Sequence, residues 1–279
     1  MTDTTQDHPA VPLRRLSNKV VVVTGAAKGI GAAIAARCAA EGADVVLVDR
    51  DNAVLQATVD ALNEQIGERD SGADTNRASM VVGDIALEST ITSMIDAAVT
   101  NHGRLDGLVN NAGIFGAYSR FENNDLDAFE EIVAINMRAV WLALKHAKPA
   151  MLSGDGGGSI VNIASMAAMR ANRGLSLYGM TKAAVANLTI NAATEYAKHN
   201  IRVNAICPGP IDTDMLGSVE EFIDERHSDL ARAKINRSIP LGRYGKPEEI
   251  AGAAAFLLSE DAGFVTGLRM AVDGGQSLE

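Results

Sequence analysis

Seven short runs of valine and other apolar residues recur along the chain, separated by longer stretches with helical spacing: Lys19–Thr24, Asp44–Asp49, Ser79–Gly83, Leu105–Asn110, Ser159–Ser165, Ile201–Cys207 and Leu268–Val272. A strand with one wet face alternates apolar and polar residues, because successive side chains point to opposite sides. These runs do not alternate, so both faces need cover, as in a parallel sheet with helices packed on each side. Parallel strands also need crossovers long enough to hold a helix, which the intervening stretches supply. The expected fold is a doubly wound α/β sheet of seven parallel strands with helices on both faces. Hydrophobic residues at 47% and charged residues at 22% provide the core such a sheet requires.

A chain of 279 residues is compatible with one large α/β domain, expected here over residues 16–279, with Met1–Arg15 as a loose polar arm. Two stretches interrupt the alternation. Glu68–Arg77 reads as an exposed loop, rich in Gly, Asp, Ser and Arg. Pro208–Pro247 is long for a connection and has its own helical pattern around Val219–Ile235, which marks it as a candidate lid. The cluster Gly154–Gly158 reads as the turn into the fifth strand.

A net charge of −10 opposes nucleic-acid binding. Cys38 and Cys207 form neither a disulfide framework nor a metal knuckle and are expected as buried thiols. None of the five histidines falls in a metal-binding spacing, so no metal is expected. No apolar run reaches the roughly 18 residues of a membrane span, and Met1–Arg15 lacks the apolar centre of a secretory signal. The expected location is the reducing cytoplasm.

The first strand runs into Thr24-Gly25-Ala26-Ala27-Lys28-Gly29-Ile30-Gly31 and then a small-residue helix. Gly25, Gly29 and Gly31 suit a sharp turn, a close approach of a diphosphate to main-chain N–H groups at a helix N-terminus, and tight helix–sheet packing. The second strand ends in Asp49, 24 positions after Gly25. A carboxylate there can accept hydrogen bonds from both adenosine ribose hydroxyls, or it can cap the next helix. Asp84 follows the third strand and Asn110-Asn111-Ala112-Gly113 the fourth, at the carboxyl ends where open α/β sheets bind ligands. Asp84 can also cap a helix, and Asn110 can brace strand ends through its amide.

Tyr178 and Lys182 are four positions apart, on one face of a helix and one turn from each other. Ser165 lies 13 residues earlier, at the end of the fifth strand. A Tyr-x-x-x-Lys pair alone is common on helices, but its company is not. From Asn18 to Gly275 the chain resembles the short-chain dehydrogenase/reductase family in its compact single-domain, Rossmann-type branch. The resemblance rests on T-G-x-x-x-G-x-G, N-N-A-G, Asn136 in the fourth helix, Ser165, Y-x-x-x-K, Pro208-Gly209 with Thr213, and the closing Val272-Asp273-Gly274-Gly275.

The resemblance implies an oxidoreductase that interconverts a secondary alcohol and a ketone. Tyr178 is the expected general acid and base, Lys182 favours its phenolate and binds the nicotinamide ribose, Ser165 holds the substrate oxygen, and Asn136 positions a water. Cofactor contacts are expected from Gly25, Gly29, Ile30, Gly31, Asp49, Asp84, Ile85, Asn110, Ala112, Gly113, Tyr178, Lys182, Pro208, Gly209, Ile211 and Thr213. Substrate contacts are expected from Phe115, Ser165, Met166, Tyr178 and Met215; Phe115, Met166, Met169, Leu175, Leu177, Met215 and Leu216 make the pocket apolar, though the same residues could equally be core. Arg170 and Arg173 are candidates for a substrate carboxylate or for solvated surface. Asp49 favours NAD over NADP by repelling a 2′-phosphate, against the opposing cations Lys28 and Arg50. A homotetramer joined through Asp125–Met151 and Leu175–His199 is the family's frequent assembly. Two alternatives stand beside this reading: an NADPH-dependent 3-oxoacyl thioester reductase served by an acyl carrier protein, and a non-catalytic dinucleotide sensor or scaffold.

Overall fold

The structure is a computed structural model that describes residues 14–69, 77–116, 118–154, 156–171, 173–217 and 228–278. Seven strands form one parallel sheet: β1 Val20–Thr24, β2 Asp44–Asp49, β3 Ala78–Val82, β4 Gly107–Asn110, β5 Gly158–Ile163, β6 Ile201–Pro208 and β7 Arg269–Val272. Their order is β3-β2-β1-β4-β5-β6-β7. The order reverses between β1 and β4, and the crossovers on either side of that point leave in opposite directions, opening a crevice at the carboxyl ends.

The helices described are α1 Gly29–Ala40, α2 Asn52–Arg69, α3 Glu88–His102, α4 Leu126–Val133, α5 Ala139–Ser153, α6 Ser176–Tyr196, α7 Ser228–Arg237 and α8 Pro247–Leu258. Strand residues divide by parity between two cores. Val21, Val23, Val45 and Leu47 pack with Ile34 and Cys38 of α1, Leu55 and Val59 of α2, and Ile250 and Leu257 of α8. Val20, Val22, Val46 and Val48 pack on the other face with Ile91 and Met94 of α3, Leu144 and Met151 of α5, and Val185 of α6. Each buried valine contributes about 1.5–3 kcal/mol by leaving water. Both cysteines are buried free thiols.

Continuous burial holds for the central strands but not at the sheet edges, where Val82 of β3 and Arg269 of β7 are exposed. The runs also overreach at some ends. Leu105 and Asp106 precede β4, where the Asp106 carboxylate accepts the Val20 N–H at 2.9 Å and Arg104 Nε at 2.7 Å. Strand β5 stops at Ile163, so Ser165 stands two residues beyond it, accepting the Ala167 N–H at 3.0 Å as the cap of a short 3-10 turn, Met166–Ala168.

Of the arm expected over residues 1–15, residues 1–13 lie outside the described set. Arg15 is anchored, its Nε and Nη2 each donating to the Glu41 carboxylate at 2.7 Å. Helix α2 extends through Arg69 into the stretch read as a loop, and residues 70–76 of that stretch are not described. Within the insert after β6, residues 218–227 are likewise outside the described set, which takes in the first part of the expected helix, and α7 accounts for its later part.

Candidate active site

A cavity of about 540 Å³ opens at the β1–β4 crossover. Its floor is main chain. Gly25 has φ +64°, and a Cβ there would come within 2.8 Å of the Ala112 Cα. A Cβ at Gly31 would collide with the Gly25 carbonyl oxygen, so this glycine is what lets the turn close onto α1. The α1 N-terminus has no side-chain cap, since Lys28 precedes it in extended conformation. Its first N–H groups are left for a partner beyond the helix, and Lys28, Gly29 and Ile30 all border the cavity.

The turn is tied down from behind. Buried Thr24 Oγ1 donates to the Val109 carbonyl at 3.3 Å and accepts the N–H groups of Asn111 and Ala112, both at 3.0 Å. Asn111 Nδ2 donates to the carbonyls of Thr24 at 2.9 Å and Gly25 at 3.1 Å. The loops after β1 and β4 thus form one hydrogen-bonded unit.

Asp49 borders the cavity at the end of β2, its carboxylate accepting the N–H of Ala27 at 3.1 Å and of Asp51 at 3.2 Å. Capping of α2 falls to Asp51, whose Oδ1 accepts the Val54 N–H at 3.2 Å. Asp84, beside Ile85 on the cavity wall, accepts the Ala86 N–H at 2.9 Å and does not cap α3, which begins after Leu87. Ala112 and Gly113 border the same side, and Pro208, Gly209, Ile211 and Thr213 line the opposite wall. Lys28 Nζ reaches from the glycine turn to Asp214 on that wall, donating at 2.8 Å between two exposed side chains.

Four expected site residues stand away from the cavity surface. Asn110 is buried and donates to Asn162 Oδ1 at 2.8 Å, while Asn162 donates to Thr189 at 2.9 Å, so its amide braces the core. Gly31 is buried in α1. Met166 is 4% exposed and belongs to the core under α6, which corrects its expected contact with substrate. Asn136 is fully buried. It lies not in a regular fourth helix but in a π-helical turn, Ala134–Arg138, between α4 and α5. Such a turn admits one extra residue and re-aims side chains and carbonyls locally. Asn136 Oδ1 accepts the Ile114 N–H at 2.8 Å and its Nδ2 donates to the Ile114 carbonyl at 2.8 Å. Asn111, Arg50 and Asp214, not among the expected contacts, do border the cavity. The amide pair Asn110-Asn111 hid the first of these, because the last strand residue turns into the core and only the next turns toward the crevice.

Tyr178, Lys182 and Ser165 converge on the cavity, α6 presenting the first two a turn apart. The Phe115 ring stacks on the Tyr178 ring with centroids 4.5 Å apart and planes at 25°. Burial raises the phenol above its ordinary range, and a hydrogen bond with the Ser165 hydroxyl opposes the rise. Lys182 is 5% exposed and donates from Nζ to the Ile163 carbonyl at 2.8 Å. Burial pushes its ammonium down to about 8, and Nζ stands 5.7 Å from the Tyr178 ring centroid. Ser165 and Lys182 thus flank the Tyr178 ring, with Lys182 over its face. A Cβ on Gly113 would lie 3.1 Å from Asn136 Oδ1 and 3.4 Å from Lys182 Nζ, so a bare glycine leaves these two groups room. Arg170, exposed, donates to the Gln276 carbonyl at 3.2 Å, and Arg173 is exposed. A phenol and a hydroxyl at an apolar cavity wall, with a buried cation beside the ring, can exchange a proton with an alcohol or carbonyl oxygen.

Residues 25–277 match the family model described as enoyl-(acyl carrier protein) reductase. Levodione reductase of Leifsonia aquatica is 36% identical over 95% of this chain and 97% of its own. A crystal structure of levodione reductase superposes with a TM-score of 0.89, at 36% identity, covering 95% of this chain and 99% of that one. Cis-4-hydroxycyclohexanecarboxylate dehydrogenase of Sinomonas cyclohexanicum is 39% identical over 93% of this chain and 96% of its own. Cyclohexanol dehydrogenase of an Acinetobacter strain is 35% identical over 93% and 95%. Similarity of this extent runs nearly end to end in each of these proteins and in this chain. The chain therefore belongs to the short-chain dehydrogenase/reductase family, as a nicotinamide-dependent oxidoreductase that interconverts secondary alcohols and ketones.

Proposed function

We propose that this enzyme is an NAD(H)-preferring dehydrogenase of a secondary alcohol carried on a hydrophobic ring. The observation that carries the reading is the Phe115 ring stacked on Tyr178, which puts a flat apolar wall against the proton-transfer group. Met215 and Leu216 extend that apolar side of the cavity. Two of the similar enzymes are named for hydroxylated cyclohexanes, a ring that such a wall suits.

Tyr178 gives its proton to the carbonyl oxygen in reduction and, as phenolate, takes it from the alcohol in oxidation. Ser165 hydrogen-bonds the same oxygen and works against the rise that burial imposes on the phenol. Lys182 holds the nicotinamide ribose, and Asn136, whose side chain is clamped to Ile114, positions a water toward Lys182. The bound nicotinamide supplies or accepts the hydride. The uncapped α1 N-terminus and Gly25 and Gly29 fit a diphosphate, and Asp49 fits the adenosine ribose hydroxyls.

The preference for NAD follows from charge. The Asp49 carboxylate is fixed by two main-chain N–H groups, and Lys28 is engaged with Asp214, so a 2′-phosphate would meet a stationary anion. The Lys28–Asp214 pair also joins the two walls across the cleft, which supports a covering role for the insert after β6. Exposed Leu126, Phe129, Trp141, Met180 and Ile190 on α4, α5 and α6 support assembly through those helices. Of the small residues on α6, Ala186, Ala192 and Ala193 are consumed by the chain's own core. No helix among the described residues is long and apolar enough to cross a membrane, which accords with a cytoplasmic enzyme.

The test is a panel of cyclohexanols, linear secondary alcohols and 3-oxoacyl thioesters, assayed with NAD(H) and NADP(H). The highest kcat/KM is expected for ring alcohols with NAD. A higher value for 3-oxoacyl thioesters or for NADP(H) overturns the assignment.

A further inference from the structure

Thr181, the residue before Lys182, has a side chain with no access to solvent or to the cavity, yet it is polar. Its hydroxyl donates to the Tyr178 carbonyl at 2.8 Å and accepts from Asn136 Nδ2 at 3.2 Å. These directions leave no freedom. Asn136 Oδ1 faces the Ile114 N–H and Nδ2 faces the Ile114 carbonyl, and since main-chain donors and acceptors are unambiguous, the amide can point only one way. Its second Nδ2 proton therefore goes to Thr181, whose own proton must go to the Tyr178 carbonyl.

We infer that Thr181 is a positioning residue that locks the turn carrying Tyr178 and Lys182 to the π-helical Asn136 and, through it, to Ile114 on the cavity loop. The inference rests on the proposed role of Tyr178. Without the hydroxyl, a buried amide proton of Asn136 loses its acceptor close to Lys182, and the amide or the helix turn shifts to recover a partner. A proton-transfer group tolerates such a shift poorly, because rate falls about 10²-fold for a displacement near 1 Å, whereas binding through many contacts does not.

Thr181→Val keeps the shape and removes both hydrogen bonds, while Thr181→Ser keeps the hydroxyl. The expected result for valine is a kcat about tenfold lower, with KM and NAD affinity within about twofold of wild type, and for serine a kcat restored to within about twofold. If valine does not fold, Thr181→Cys, similar in size but a weak donor, takes its place and must show the same fall in kcat. Wild-type kcat in the valine or cysteine variant overturns the inference, as does a serine variant no better than valine. Tyr178→Phe assayed in parallel separates the two readings. If it is inactive while Thr181→Val is unimpaired, only the role of Thr181 fails; if it stays active, the role of Tyr178 fails and takes this one with it.

Discussion

The two walls of the cavity are built on different principles. The wall from β1, β2 and β4 is main chain, held in place by Thr24 and Asn111, whose hydrogen bonds are spent inside the protein. The wall from Phe115 and from Pro208 to Leu216 is made largely of side chains carried beyond the strand ends, with Met215 exposed and one exposed ion pair, Lys28–Asp214, crossing to the other side. A backbone wall with satisfied buried partners is stiff and indifferent to side-chain identity, which suits a ligand that never varies. A side-chain wall can be refitted residue by residue without disturbing the sheet, which suits a substrate that does.

The sharpest cut between walls and chemistry is Tyr178→Phe. It deletes one hydroxyl and leaves both walls, so kcat/KM should fall about 10³-fold with NAD affinity within about twofold. Parallel loss of affinity, measured by titration, would show that the phenol serves the cofactor wall as well.

Gly31→Ala attacks the stiff wall at its tightest point. The added methyl meets the Gly25 carbonyl oxygen, which cannot retreat without breaking the turn. About 2 kcal/mol or more of stability should be lost and NAD binding weakened by at least tenfold, read by denaturant unfolding and titration. A neutral outcome would mean that this wall yields as readily as the other.

Asp49→Ser changes a charge on the stiff wall and leaves its main chain in place. The ratio of kcat/KM for NAD over NADP should fall about 10- to 100-fold, since Lys28 and Arg50 remain. An unchanged ratio would place Asp49 outside the ribose contact.

Lys182 reaches the cavity from α6, and its titration gives a smaller, continuous effect. Burial lowers its ammonium from 10.5 to about 8, so between those values the unfolded chain holds the extra proton and this group's contribution to stability rises with pH. The same deprotonation removes a charged donor, so NAD affinity should weaken severalfold as pH passes upward through about 8, while Lys182→Met binds weakly at every pH. A wild-type affinity flat through that range would take the ribose contact away from the ammonium.

Met215→Ala probes the adaptable wall and should do least. The side chain is 42% exposed, so stability should move by no more than about 0.5 kcal/mol, and kcat/KM should change a fewfold and differently for ring and linear alcohols. A stability loss of several kcal/mol would make this wall as rigid as the first.

Legibility in the sequence followed the range of the physics. Asp44–Asp49 was readable to the residue, because a fully buried parallel strand writes its continuous apolarity into consecutive positions. The glycine turn was readable for a similar reason, as a backbone requirement that few residue types meet. Asn110 and Asn111 were not separable, since they are the same residue type and strand phase alone sends one amide to Asn162 and the other to Gly25. Met166 looked like pocket and proved to be core, because an apolar side chain near a site carries no mark of which side of the loop it takes. The π-helical turn at Asn136 left no periodic trace, being a single extra residue within a helical stretch.

The sequence by itself determined the element order, the parallel sheet, the glycine turn, and the spacing that puts Tyr178 and Lys182 on one helical face. All of these depend on residues close together in the chain, or on a pattern repeated along it. Only the tertiary structure decided which of two asparagines meets the crevice, that Lys28 meets Asp214 across 186 positions, and that Thr181 joins Asn136 to the Tyr178 carbonyl. Those contacts depend on where the sheet brings distant loops and on which way each buried hydrogen-bonding group must face to find a partner, and neither is written in local spacing.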